Sequence, residues 1–283
     1  MTRSTTSISV LITGTLTFIV SVFFTVATYA EGVILPKVPD KENFKVFLLA
    51  GQSNMSGRGE VTDDDRTVHP RVLMLAKDGS WQFAVDPVHY DKKVAGTGLA
   101  RSFAIELASQ DENITIGLVP AACGGSPIAT WEPGAYFEKT DSHPYDDAIA
   151  RTKRAMQDGT LSGILWHQGE SDSKPDNWPV YKDKLVTLAA RFRKDLDAPE
   201  IPFIIGQLGR FEAKPWTEER SKINVAHIEA ATEIKYAGFV SSFGLTSKDD
   251  NTHFNTESLH EFGKRYARRY LQVVNEGEDS MFH

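Results

Sequence analysis

The chain has 283 residues, 31 basic and 38 acidic, a formal charge of −7 and a single cysteine. An acidic chain without a basic stripe excludes nucleic acid as the natural partner. One cysteine, Cys123, excludes an intramolecular disulfide and any cysteine-rich metal site, and its expected role is that of a small buried residue.

Arg3 is followed by an uncharged stretch to Ala30, with an apolar centre from Ile8 to Ala27 and small residues at its end. This pattern predicts a secretory signal peptide over residues 1–30, cleaved near Ala30. The run is also long enough, at about 20 residues, to stay as an uncleaved membrane anchor. Either way the folded part is expected outside the cytoplasm, secreted or periplasmic. Residues 31–43, with Pro and charge, read as a leader, 44–275 as one domain, and 276–283 as a C-terminal tail.

Phe44 to Ala50 is an apolar run that predicts a buried strand, and Val72–Leu75 and Trp81–Phe83 predict two short ones. Leu99 to Ser109 has helical spacing, Ile114 to Pro120 is a core strand, and Tyr145 to Met156 is a helix. Ile164–Trp166 predicts a third core strand and Tyr181 to Leu196 an amphipathic helix. Phe203–Ile205 is a strand, Asn224 to Ile234 a helix, Phe239–Val240 a strand, and Ser258 to Val274 the last helix. Strands alternating with helices predict a parallel sheet covered on both faces.

The polar and glycine-rich residues fall just past the strand C-termini, where open α/β sheets bind ligands. After the first strand comes Gly51-Gln52-Ser53-Asn54-Met55-Ser56-Gly57-Arg58. A glycine-flanked serine there is placed as a nucleophile, though a plain polar turn has the same composition. It is neither a G-x-S-x-G elbow nor a phosphate-binding loop. The second core strand ends in Gly124-Gly125-Ser126, where either glycine offers a backbone N–H to a reacting carbonyl. The third ends in His167-Gln168-Gly169-Glu170. A capping loop would explain that stretch, as would Gln168 serving as a side-chain oxyanion donor and Glu170 as a carboxylate near a histidine base. Of eight histidines, His253 stands out, because Asp250 precedes it by three residues in a polar loop before the last helix. At that spacing the carboxylate can hold Nδ1–H while Nε2 faces the serine.

In this order the motifs Gly51-Gln52-Ser53-Asn54-Met55, Gly124-Gly125-Ser126, His167-Gln168-Gly169-Glu170 and Asp250-x-x-His253-Phe254 resemble the SGNH-type carbohydrate esterases. The likeness is to the acetylxylan esterase and sialate O-acetylesterase group, over residues 44–270. It implies a three-layer α/β/α sandwich with a mostly parallel, flavodoxin-like sheet. It also implies a serine nucleophile (Ser53), a histidine base (His253), and no metal or cofactor. The implied oxyanion hole is Ser53 N–H, a glycine N–H (Gly124 or Gly125) and Gln168. Glu170 and Asp250 both match acids linked to the histidine, and the sequence leaves open which one orients it. Asn54, Arg58 and Trp131 are the candidates for substrate contact, with a surface salt bridge the plainer role for Arg58 and a core position the plainer one for Trp131.

The function these readings predict is a monomeric secreted serine esterase that removes O-acetyl groups from carbohydrate, either acetylated xylan or O-acetyl sialic acid. A carbohydrate-binding domain without turnover and a broad-specificity short-chain esterase are the alternatives.

Overall fold

The computed structural model of the protein describes residues 36–280. The expected signal peptide lies outside the described residues, as do 31–35 and 281–283. Seven strands form one sheet: β1 (Phe44–Gly51), β2 (Val72–Leu75), β3 (Trp81–Phe83), β4 (Thr115–Pro120), β5 (Thr160–His167), β6 (Phe203–Gly206) and β7 (Ala237–Val240). Their order across the sheet is β3-β2-β4-β1-β5-β6-β7. All neighbours run parallel except β3, which pairs antiparallel with β2 at the edge.

β1 is central, and its side chains divide between two cores as the two-residue period demands. Phe44, Val46, Leu48 and Ala50 face one core, and Phe47 and Leu49 face the other. Helices α3 (Pro144–Ala155), α4 (Tyr181–Asp195) and α5 (Glu218–Glu233) cover the first face. Helices α2 (Ala100–Ala108) and α6 (Thr256–Ser280) cover the second. The expected three-layer α/β/α sandwich is the fold observed.

Two helix boundaries lie furthest from expectation. α5 begins at Glu218 rather than Asn224, because Thr217 caps it and accepts a bond from the Arg220 N–H at 3.3 Å. Its first turn is all charge, so apolar periodicity starts only later. α6 runs on through Ser280, into residues expected to form a tail. Among the described residues no helix is long and apolar enough to cross a membrane.

The chain leaves β1 toward β2 and β4 on one side, then crosses to β5 on the other. This reversal leaves a crevice at the C-terminal ends of β1, β4 and β5, which is where open α/β sheets seat ligands.

Candidate active site

The serine is presented by a close approach of two strands. Gly51 ends β1 with φ +130°, and a Cβ there would run into the backbone carbonyl of His167 at the end of β5. Glycine alone lets the chain turn here. The Gln52 N–H donates to His167 O at 2.9 Å, and the Gln52 carbonyl then accepts from Met55 and Ser56. Ser53 opens the single turn α1 (Ser53–Ser56), 8% exposed, with its own N–H donating to no described residue.

His253 comes from the loop between β7 and α6, 200 residues away along the chain. Its Nε2 lies 2.9 Å from Ser53 Oγ, and its Nδ1 lies 2.7 Å from Asp250 Oδ2. A carboxylate only accepts, so Nδ1 carries the proton and Nε2 is free to accept from the serine hydroxyl. Asp250 is locked in turn, its Oδ1 accepting from the Thr252 and His253 N–H groups at 2.9 Å each. Burial pushes the Asp250 carboxyl up, but the hydrogen bonds from the His253 ring and backbone and from Thr252 outweigh it and hold the group below its ordinary value.

Between the two candidate acids, it is Asp250 that bonds the His253 ring. Glu170 lies deeper and touches other groups. Its Oε1 accepts from Asn54 Nδ2 at 2.6 Å and lies 3.7 Å from His167 Nε2. Burial pushes Glu170 up, but the neighbouring His167, the Arg220 charge and the Asn54 amide together hold its carboxyl down at about 2. Asn54, 1% exposed, also donates to Thr252 O at 3.2 Å, and its Oδ1 accepts from Phe254 N–H at 3.2 Å. One amide thus grips the backbone on either side of His253. The expectation that Asn54 contacts substrate is therefore corrected, since both ends of its amide are committed inside the protein.

The Gly124-Gly125 turn packs against the serine strand. Cys123 N–H donates to Gly51 O at 2.9 Å. Gly124 N–H is taken, donating to Asp91 Oδ2 at 2.7 Å. Gly125, at φ +86°, has open space where a Cβ would be, and its N–H has no acceptor among the described residues. Of the two glycines, Gly125 is the one with a donor left over.

Three more candidates turn inward: Gln168 loses its expected oxyanion role, Trp131 takes the plainer core position, and the Arg58 salt bridge is buried rather than at the surface. Gln168 is fully buried, with its Nε2 donating to Ser126 O at 3.0 Å and Asp172 Oδ2 at 2.5 Å, and its Oε1 accepting from Tyr181 Oη at 2.8 Å. Both amide hydrogens are used, so none remains for an oxyanion. Trp131 is 1% exposed, donates to Ser126 Oγ at 3.1 Å and packs edge-on against Trp166, so it is a core residue and not a sugar platform. Arg58 is buried, not at the surface. It pairs with Asp91 at 3.0 Å and donates to Ser56 Oγ and Gly57 O. Burial pushes Asp91 up, but the Arg58 charge, the Ser56 hydroxyl, His89 and the Gly124 N–H hold it below its ordinary value.

Asp91 and Tyr181 escaped the sequence reading, and Asp172, at the end of the polar stretch from His167, was given no role of its own. Each is a common residue type without a local pattern, and only the folded chain brings it to the motifs. Two cavities adjoin these motifs. One of about 380 Å³ includes Asp91, Cys123, Asp141 and Ser142, and one of about 630 Å³ includes Arg58, Lys248, Asp249 and Asn255. A larger cavity of about 760 Å³, lined by residues such as Lys45, Ile114 and Tyr270, opens at the opposite edge of the sheet, away from this chemistry.

Residues 43–272 match the family described as carbohydrate esterase, sialic acid-specific acetylesterase. The chain belongs to that family. A probable carbohydrate esterase of Arabidopsis thaliana is 31% identical over 248 residues, which cover 80% of this chain and 90% of the relative. The X-ray structure of an Arabidopsis thaliana protein superposes with a TM-score of 0.70 at 30% identity, covering 82% of this chain and 99% of that one. The crystal structure of NanS gives a TM-score of 0.62 at 18% identity, covering 84% and 100%, and shares the fold. As a member of this carbohydrate esterase family, the protein is an esterase.

Proposed function

We propose that this protein removes O-acetyl groups from a carbohydrate through an acetyl-Ser53 intermediate, outside the cytoplasm after export by residues 1–30. The reading rests above all on the continuous relay from Asp250 Oδ2 to His253 Nδ1 (2.7 Å) and from His253 Nε2 to Ser53 Oγ (2.9 Å). Both separations lie within reach of proton transfer.

Ser53 Oγ attacks the acetyl carbonyl carbon while His253 Nε2 takes its proton. Asp250 holds the ring and stabilises the imidazolium that forms. The carbonyl oxygen becomes an oxyanion, for which the N–H groups of Ser53 and Gly125, without an acceptor among the described residues, are the donors. As the tetrahedral intermediate collapses, His253 returns its proton to the departing sugar oxygen. Water, deprotonated by His253, then attacks the acetyl-serine and releases acetate.

Acetate release from acetylated xylan and from O-acetyl sialic acid, with native protein beside Ser53→Ala, tests the reading. Release from either substrate that vanishes in the variant is the expected result, and the responsive substrate names the glycan. No release from either, with small aryl acetates also untouched, would overturn it.

A further inference from the structure

The Gly124–Gly125 peptide is held from every side but one. Its carbonyl, Gly124 O, accepts from Lys92 Nζ at 2.7 Å. The preceding N–H, of Gly124, donates to Asp91 Oδ2 at 2.7 Å. The following carbonyl, Gly125 O, accepts from Ser171 Oγ at 3.0 Å. What remains is the Gly125 N–H, which has no acceptor among the described residues.

Asp91 and Lys92 are adjacent in the loop before α2, so one short segment supplies both an acceptor and a cationic donor to successive peptides of the turn. Asp91 is itself immobilised by Arg58 and Ser56. Arg58 and Asp91 also fill the space where a Cβ on residue 124 would lie, so only glycine lets this pair sit against the turn.

A peptide is one resonance unit, with electron density shared between its oxygen and nitrogen. A cation on the oxygen draws density toward it and makes the N–H on the far side of the same peptide a stronger donor. We infer that Lys92 is a positioning residue for the reaction, aiming and polarising the Gly125 N–H toward the oxyanion. This rests on the acetyl-serine reading above. Lys92 bonds Gly124 O and neither Ser53 nor His253, so it acts through the peptide it holds.

The test is a graded series, Lys92→Arg, Lys92→Gln and Lys92→Met, in the full chain, read as kcat and KM on a small aryl acetate. Loss of a whole oxyanion donor costs on the order of 10²–10³ in rate, so weakening one should cost about tenfold in kcat for Lys92→Met, with KM within about twofold. Lys92→Arg should recover most of that loss, and Lys92→Gln should fall between, since it keeps a donor and loses the charge. A second readout avoids turnover. The Gly125 amide proton resonance should move downfield when Ser53 is labelled by an alkyl phosphonate, and move less in Lys92→Met.

Native kcat and a native Gly125 shift in Lys92→Met, with Ser53→Ala inactive, would sink this inference and leave the serine mechanism standing. A native protein that neither turns over nor takes the phosphonate overturns both. If Lys92→Gln equals native while Lys92→Met is impaired, the charge has no part and the polarisation argument fails.

Discussion

Two polar segments meet behind Ser53, and they are built in opposite ways. The loop carrying Asp250 and His253 lies near solvent, with the two side chains 40% and 23% exposed. The turn from His167 to Asp172 is sealed, with Gln168 fully buried and the Glu170 side chain 9% exposed. The exposed loop bonds the serine directly. The buried turn never does, and is hydrogen-bonded to the histidine's loop through Asn54, which Glu170 holds and which grips Thr252 and Phe254. The difference teaches a division of labour. The ring and carboxylate aligned with the serine stand at the solvent edge. Groups that fix the geometry lie inside, where hydrogen bonds are not lost to solvent.

The sharpest way to break this comparison is Asp250→Asn. An amide can offer Nδ1 a hydrogen where it needs an acceptor, and the tautomer reverses. With Glu170 out of reach of the ring, nothing substitutes, and kcat should fall about 10³–10⁴-fold, as in other serine triads. Thermal unfolding should change little, and a loss under tenfold would show that Glu170 shares the task.

Glu170→Gln should act mainly on stability. With its carboxyl held at about 2 against an ordinary 4.5, the charged form contributes roughly 3 kcal/mol at 1.36 kcal/mol per unit. That contribution is whole above pH 4.5 and drains away as pH falls toward about 2, because the folded state resists the proton that the unfolded state accepts. Native protein should therefore lose stability over that window, while the variant starts lower and lacks that part of the slope. Parallel curves would remove Glu170 from the account. Activity should drop by less than for Asp250→Asn, up to about 10²-fold, the cost of shifting His253 by about 1 Å.

Gln168→Ala gives the smallest effect on turnover. As an oxyanion donor Gln168 would be worth 10²–10³ in rate. With its amide committed to Ser126, Asp172 and Tyr181, its loss should instead cost about 1–3 kcal/mol of stability by stranding buried partners. Below the unfolding transition, kcat should stay within about threefold of native, and a hundredfold loss there would restore the oxyanion role.

Much of this was legible in the chain. Apolar runs such as Phe44–Ala50 and Ile114–Pro120 marked the central strands, because a strand covered on both faces has few polar positions. The motifs after them had to gather at one edge once the strands ran parallel. The three-residue spacing of Asp250 and His253 is a local fact, and the 2.7 Å contact follows from it within one loop.

Roles that depend on which way a side chain faces were not legible. Gln168 and Glu170 are two residues apart, and nothing local told that one would turn toward Asp172 and Tyr181 and the other toward Asn54. Trp131 has the same composition whether it stacks on a sugar or on Trp166. Asp91 and Lys92 lie 33 and 32 residues from the glycine they hold, in a loop without a motif. The sequence by itself determined the layered sheet, the edge where chemistry collects, and a histidine with a carboxylate three residues before it, because periodicity and short spacing are set by the backbone. Only the tertiary structure decided which glycine N–H is left without an acceptor among the described residues, which carboxylate meets the histidine, and which amides are locked inside. Those outcomes depend on partners distant in the chain competing for the same few hydrogen bonds.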